Sequence, residues 1–121
     1  MIARTLLAAG LATAVVAAGA TASAPPPAPT VLTQADTGKT YRVARGRELT
    51  LRLSGRWTWS QPQPSGARVV LTPVAYLVDP GFSEWRIRTP ARGVVTLRSS
   101  GVRRTVEGTK SRTFVLTLRI A

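Results

Sequence analysis

Between Glu84 and Leu97 the chain alternates in polarity with a period of two: Trp85, Ile87 and Thr89 interleave with Glu84, Arg86 and Arg88. The alternation stops at Pro90-Ala91-Arg92-Gly93 and resumes with Val95 and Leu97 on one face and Val94, Thr96 and Arg98 on the other. A helix buries every third or fourth residue. A period of two, interrupted by a Pro-early and Gly-late turn, requires a pair of strands with one buried face. Such a pair cannot cover its own apolar face, so a second layer is needed to close the core.

The same grammar recurs along the chain. Tyr41 and Val43 flank Arg42; Leu49, Leu51 and Leu53 alternate with Thr50 and Arg52; Phe114, Leu116, Leu118 and Ile120 alternate with Thr113, Val115, Thr117 and Arg119. Val31 and Leu32 begin an edge strand, and Val69 and Leu71 suggest a further strand stopped by Pro73. Turn signals separate the runs: Asp36-Thr37-Gly38-Lys39, Arg45-Gly46-Arg47, Ser54-Gly55-Arg56 and Asp79-Pro80-Gly81. Gln61–Gly66 reads as loop, because its two prolines remove ladder donors. Val74–Val78 is a short apolar run, and Ser99–Ser111 is a polar excursion before the last strand. No helical stripe and no internal repeat is visible from Pro25 onward. The expected fold is all-β, an immunoglobulin-like antiparallel β-sandwich of seven to eight strands over residues 30–121.

The first 24 residues read differently. Arg4 precedes an Ala-rich apolar run, Leu6–Ala18, and Ala22-Ser23-Ala24 is a small-x-small cleavage pattern. This is the grammar of a secretory signal peptide, and it predicts a secreted, extracytoplasmic product. Pro25–Pro29 is expected to be a stiff linker. The chain has no Cys, so the domain must hold together on its core alone.

The lack of His and Cys also removes the usual general base, thiol nucleophile and soft metal ligands. The five acids stand singly, Asp79 and Glu84 reading as a turn residue and a solvated strand end. No glycine-rich phosphate cradle is present. The sequence therefore predicts no enzyme, no catalytic residue, no metal and no cofactor. Binding remains. The three tryptophans divide into Trp59 and Trp85, expected to face each other in the core, and Trp57, the best candidate for an exposed contact.

The formal net charge is +12, and 15 of the 17 basic residues are Arg. A GC-rich genome writes such a bias, and so does a need for anionic partners. Arg52, Arg86, Arg88, Arg98 and Arg119 fall on the polar faces of strands and form a candidate polyanion surface. Like charges side by side on a sheet oppose folding, which points to an anionic polymer or lipid as compensation. Export argues against nucleic acid as the partner.

Several of these segments together resemble a known family. Gly46 followed by Leu49-x-Leu51-x-Leu53, then Trp57-Thr58-Trp59, then Trp85 ahead of Pro90 and Gly93, and last Phe114-x-Leu116-x-Leu118 are similar to the chagasin-type inhibitors of papain-like cysteine peptidases. The likeness is nearest to small secreted actinobacterial proteins that share that domain. It covers most of the chain beyond Pro25, and nearly all of it is framework. It implies three contact loops at one end of the sandwich, here Gly55, Arg56 and Trp57; Pro80, Gly81 and Phe82; and Arg103 and Arg104. The family's Asn-Pro-Thr-Thr-Gly and Arg-Pro-Trp motifs are not matched at these positions. The leading expectation is thus a secreted, cationic, non-enzymatic and monomeric binding module of the cell envelope. The alternative is a chagasin-like peptidase inhibitor, with a peptidase as partner.

Overall fold

The computed structural model describes residues 24–121, so Met1–Ser23 of the expected signal peptide lie outside the described residues. Nine strands are present among the described residues: β1 (Val31–Thr33), β2 (Thr40–Val43), β3 (Glu48–Ser54), β4 (Thr58–Trp59), β5 (Gln63–Gly66), β6 (Val70–Val74), β7 (Phe82–Arg88), β8 (Gly93–Thr105) and β9 (Gly108–Ile120). They form a four-stranded sheet in the order β1-β3-β7-β6 and a five-stranded sheet in the order β2-β9-β8-β4, with β5 also on β8.

The core is where the alternation placed it. Leu49, Leu51 and Leu53 of β3, with Trp85 and Ile87 of β7, pack against Val95 and Leu97 of β8 and Phe114, Leu116 and Leu118 of β9. Trp59 and Trp85 are both buried, one from each sheet. The Trp59 indole donates to the Ser54 carbonyl at 2.9 Å. Its ring lies against Gly101, where a Cβ would come within 2.8 Å of it. Buried Thr89 and Ser99 are satisfied locally: the Thr89 hydroxyl lies 3.0 Å from the Ala44 carbonyl, and Ser99 donates to the Ser60 carbonyl at 2.6 Å.

The structure departs from expectation in four places. First, the sheets are mixed: β1 runs parallel to β3, and β2 runs parallel to β9. The N-terminal stretch gives three residues to one sheet, turns through a 3-10 helix at Gln34–Asp36 and gives four to the other. Asp36 pins that switch by accepting from the Thr33 amide at 2.9 Å and from the Tyr41 hydroxyl. Second, residues 63–66 are strand and not loop. Pro64 and Pro73 both lie in edge strands, where a missing N–H on the outer side costs no ladder bond.

Third, Ser99–Ser111 is no irregular excursion. β8 and β9 form one long hairpin, paired without a break from Gly93↔Ile120 to Thr105↔Gly108, whose far half runs past the core. Fourth, the Pro-rich segment pairs with the fold. Ala28 is buried and donates to the Arg42 carbonyl at 2.8 Å, and the Arg42 amide donates to Pro26 at 2.9 Å.

Candidate functional site

Three connections meet at one end of the sandwich. β3 ends where β7 begins, with Ser54 opposite Phe82. The Gly55 amide donates to the Gly81 carbonyl at 2.9 Å, which ties the β3–β4 loop to the β6–β7 loop. That approach needs a glycine: a Cβ at Gly55 would lie 2.7 Å from the Gly81 oxygen. The third element is the projecting half of the β8–β9 hairpin, joined to the first loop through β4, where Thr58 pairs with Val102.

Of the expected contact residues, Gly55, Arg56, Pro80 and Gly81 are exposed. Trp57 is not the free contact that its loop position suggested. It is half-buried against Trp59, with ring centroids 6.4 Å apart, and the Arg112 guanidinium lies 4.9 Å over its ring. Phe82 is likewise covered, edge-on to Tyr76 at 5.7 Å and beneath Arg52 at 4.8 Å. Arg103 and Arg104 sit on the hairpin arm and not in a loop. Arg103 faces Lys110 across the ladder, and Gly101 faces Arg112. Strand alternation therefore sets Arg103, Lys110 and Arg112 on one face of the arm and Arg104 on the other.

Sequence reasoning missed the residues that stand furthest out. Leu77, Val78 and Val106 are 106%, 79% and 103% exposed, the first two in the β6–β7 loop and the third in the hairpin turn. The apolar run Val74–Val78 thus divides, with Val74 in β6 and Tyr76-Leu77-Val78 forming a loop tip. The nearby Asp79-Pro80-Gly81 turn was the available signal, because apolar residues abutting such a turn lie outside a ladder.

Glu84 was also misread as a solvated strand end. It is buried under the β6–β7 loop, accepts from Tyr76 at 2.7 Å and from Arg52 Nε at 2.9 Å, and so clamps that loop to β3. Burial pushes its carboxyl up; the hydrogen bonds from Tyr76 and Arg52, aided by the charges of Arg52 and Arg86, outweigh this and hold it below the usual carboxylate range. The Tyr76 phenol is raised in turn, first by its bond to Glu84 and then by burial.

The five strand arginines are divided between two surfaces. Arg52, Arg86 and Arg88 lie on the outer face of the four-stranded sheet, and none of them stands opposite another arginine across the ladder. The register sets Arg52 beside Glu84 and Arg88 beside Glu48, and Arg86 lies 3.8 Å from Glu48. Arg98 and Arg119 lie on the outer face of the other sheet.

A two-sheet sandwich with a β3–β4 loop, a β6–β7 loop and a β8–β9 hairpin gathered at one end has the chagasin-like fold. Amebosin, known from a solution structure, is similar with a TM-score of 0.56 and 20% identity, over 78% of this chain and 100% of amebosin. The crystal structure of the cysteine protease inhibitor EhICP2 from Entamoeba histolytica is similar with a TM-score of 0.55 and 15% identity, over 75% of this chain and 93% of that one. At such identities the likeness establishes the fold. No protein-family model and no curated protein sequence matches this chain.

Proposed function

We propose that this protein is a non-enzymatic inhibitor that closes the cleft of a papain-like cysteine peptidase with the loop end of its sandwich, acting after export. The observation that carries this reading is the fastening of the three connections to one another, by the Gly55–Gly81 backbone bond and by Arg112 on Trp57, in a fold shared with a cysteine protease inhibitor. A wedge must keep its shape inside a cleft built to cleave extended chain, and pre-organisation lowers the entropy cost of docking. The exposed tips Leu77, Val78 and Val106 supply apolar contact, and the clamped Glu84–Tyr76–Arg52 set holds the first two in position.

The other expectation, envelope retention through all five strand arginines, has less behind it, since Arg52 and Arg86 already have carboxylate partners. Titration of papain with the purified protein tests the proposal. Stoichiometric loss of peptidase activity at micromolar inhibitor is the expected result. Full activity at that concentration, with an intact β-sheet spectrum, removes it.

A further inference from the structure

The two outer faces of the sandwich differ in a way that net charge does not explain. None of the chain's five acids lies in any strand of the five-stranded sheet. Its outward residues are mostly basic or hydroxylated, with Val94, Val102 and Val115 among them. Arg42 stands directly beside Arg119 across the β2–β9 pair, Arg98 lies on β8 next to Gln63 of β5, and Arg104 lies farther along β8. Among the described residues none of these four arginines has a carboxylate within ion-pair distance. Two like charges side by side on a sheet are unfavourable, and neither has an ion-pair partner among the described residues.

Between the arginines runs a row of hydroxyls. Thr40 pairs with Thr117, Thr117 with Thr96 and Thr96 with Ser65, so four side chains cross β2, β9, β8 and β5 in line, about 4.8 Å apart. Thr96 and Thr117 hydroxyls lie 3.5 Å from each other. Two shallow hollows adjoin the row, the second including Thr96 and Ser65 of the row itself. One, of about 350 Å³, has Arg42 and Arg119 at a mostly apolar lining that includes Pro25, Val94 and Ile120; the other, of about 310 Å³, is lined by Gln63, Pro64, Ser65, Thr96 and Arg98. Arg119 pairs with Val94, four residues before Arg98 on β8, which sets the two charged positions about 13 Å apart along the strands.

We infer that this face binds a linear acidic polysaccharide, with two of its carboxylates, a few sugars apart, held at the Arg42–Arg119 pair and at Arg98, and the sugar hydroxyls between them on the Thr40–Thr117–Thr96–Ser65 row. Arginine suits carboxylates because its guanidinium offers paired donors in a plane. The hydroxyl row suits sugar hydroxyls, each a donor and an acceptor, and has no counterpart need in a bare polyanion. A lipid surface fits less well, because membrane docking uses apolar side chains that enter the bilayer; the fully exposed apolar tips lie at the loop end, and this face offers only the half-exposed, short Val94 and Val102. Single-stranded nucleic acid needs aromatic platforms, and none of the described tryptophans, tyrosines or phenylalanines faces outward here. This site is separate from the loop end and stands or falls independently of peptidase inhibition.

The test is binding of the purified protein to polygalacturonate at low salt, with polyphosphate and anionic phospholipid vesicles as comparators. Arg42→Gln/Arg98→Gln/Arg119→Gln should weaken binding about tenfold. Arg68→Gln/Arg86→Gln/Arg88→Gln removes the same charge elsewhere and should change it less than about threefold. Thr96→Val/Thr117→Val, which leaves the charge intact, should weaken polygalacturonate binding by roughly threefold. Equal losses in the two arginine variants, no effect of the threonine variant, or equal affinity for polyphosphate or vesicles would each overturn the assignment.

Discussion

Glu84 shows how far one side chain can depart from what its neighbours in sequence suggest. Its place in the alternation puts it on the outer face of β7, yet only 6% of its side chain is exposed, because the β6–β7 loop folds over it and Tyr76 comes down on its carboxylate. Arg52, the other partner, is 43% exposed, so solvent screens the pair and keeps its worth modest. Glu84→Gln should cost about 1 kcal/mol of stability near neutral pH. The sign of the pH dependence follows from the lowered carboxyl. In the unfolded chain a glutamate titrates at about 4.3; in the fold it titrates lower, so its contribution is complete above the unfolded value and disappears as pH falls through the folded one. Urea melts of both proteins at neutral pH and at the acid limit should therefore converge as pH drops; a constant gap would mean the carboxylate is not the source. A second residue-scale test is Gly101→Ala. The added Cβ would meet the Trp59 ring at 2.8 Å, and the ring has to move, at a cost of about 1–3 kcal/mol. A lower melting temperature with a red-shifted tryptophan emission is the expected pair of signals. An unchanged emission would place Trp59 elsewhere.

At the scale of elements, what was legible depended on whether a strand meets the core. β3, β7 and the inner halves of β8 and β9 announce themselves, because Leu49-x-Leu51-x-Leu53 and Phe114-x-Leu116-x-Leu118 each press one face into a dry layer. The outer half of the hairpin leaves no such trace. From Val102 to Thr113 every residue is exposed except half-buried Thr105, so both faces are wet and no apolar period is written into the sequence. The hairpin's turn is built on Gly108, which takes φ +128 and whose carbonyl accepts from the Thr105 hydroxyl at 2.9 Å. The two parallel edge pairings were illegible for another reason, since a short strand's partner is chosen by tertiary contact and not by local pattern. The loop end was half legible, its loops by Gly and Pro and its apolar tips not at all. Because the projecting arm adds little to the core, replacing Arg103–Lys110 by a two-residue turn should leave the melting temperature within a few degrees. The same change should weaken papain inhibition tenfold or more, since it removes Val106 and part of the cationic face beside Trp57. Unaltered inhibition by the shortened protein would show that the arm takes no part in contact.

For the molecule as a whole, the N-terminal strand exchange raises the question of what holds the two sheets in register at their open edges. β1 closes one edge of the four-stranded sheet, β2 closes one edge of the five-stranded sheet, and the Pro26–Ala28 stretch lies against β2 in turn. The chain therefore enters along one layer, crosses to the other and crosses back before the first antiparallel pair is made. Proline makes this outer stretch inexpensive to order, because its backbone is already extended before it docks. Two backbone hydrogen bonds with Arg42 and the burial of Ala28 then outweigh the remaining entropy. At about 1 kcal/mol per bond and somewhat less for one buried methyl, the stretch contributes about 2 kcal/mol, or roughly 10 °C in melting temperature for a domain of this size. Comparison of a protein beginning at Pro25 with one beginning at Thr30 isolates the term. The shorter protein should keep the β-sheet spectrum and melt lower by about that margin. Equal melting temperatures would show that the prolines are only a spacer, and that β2 holds its place on β9 without them.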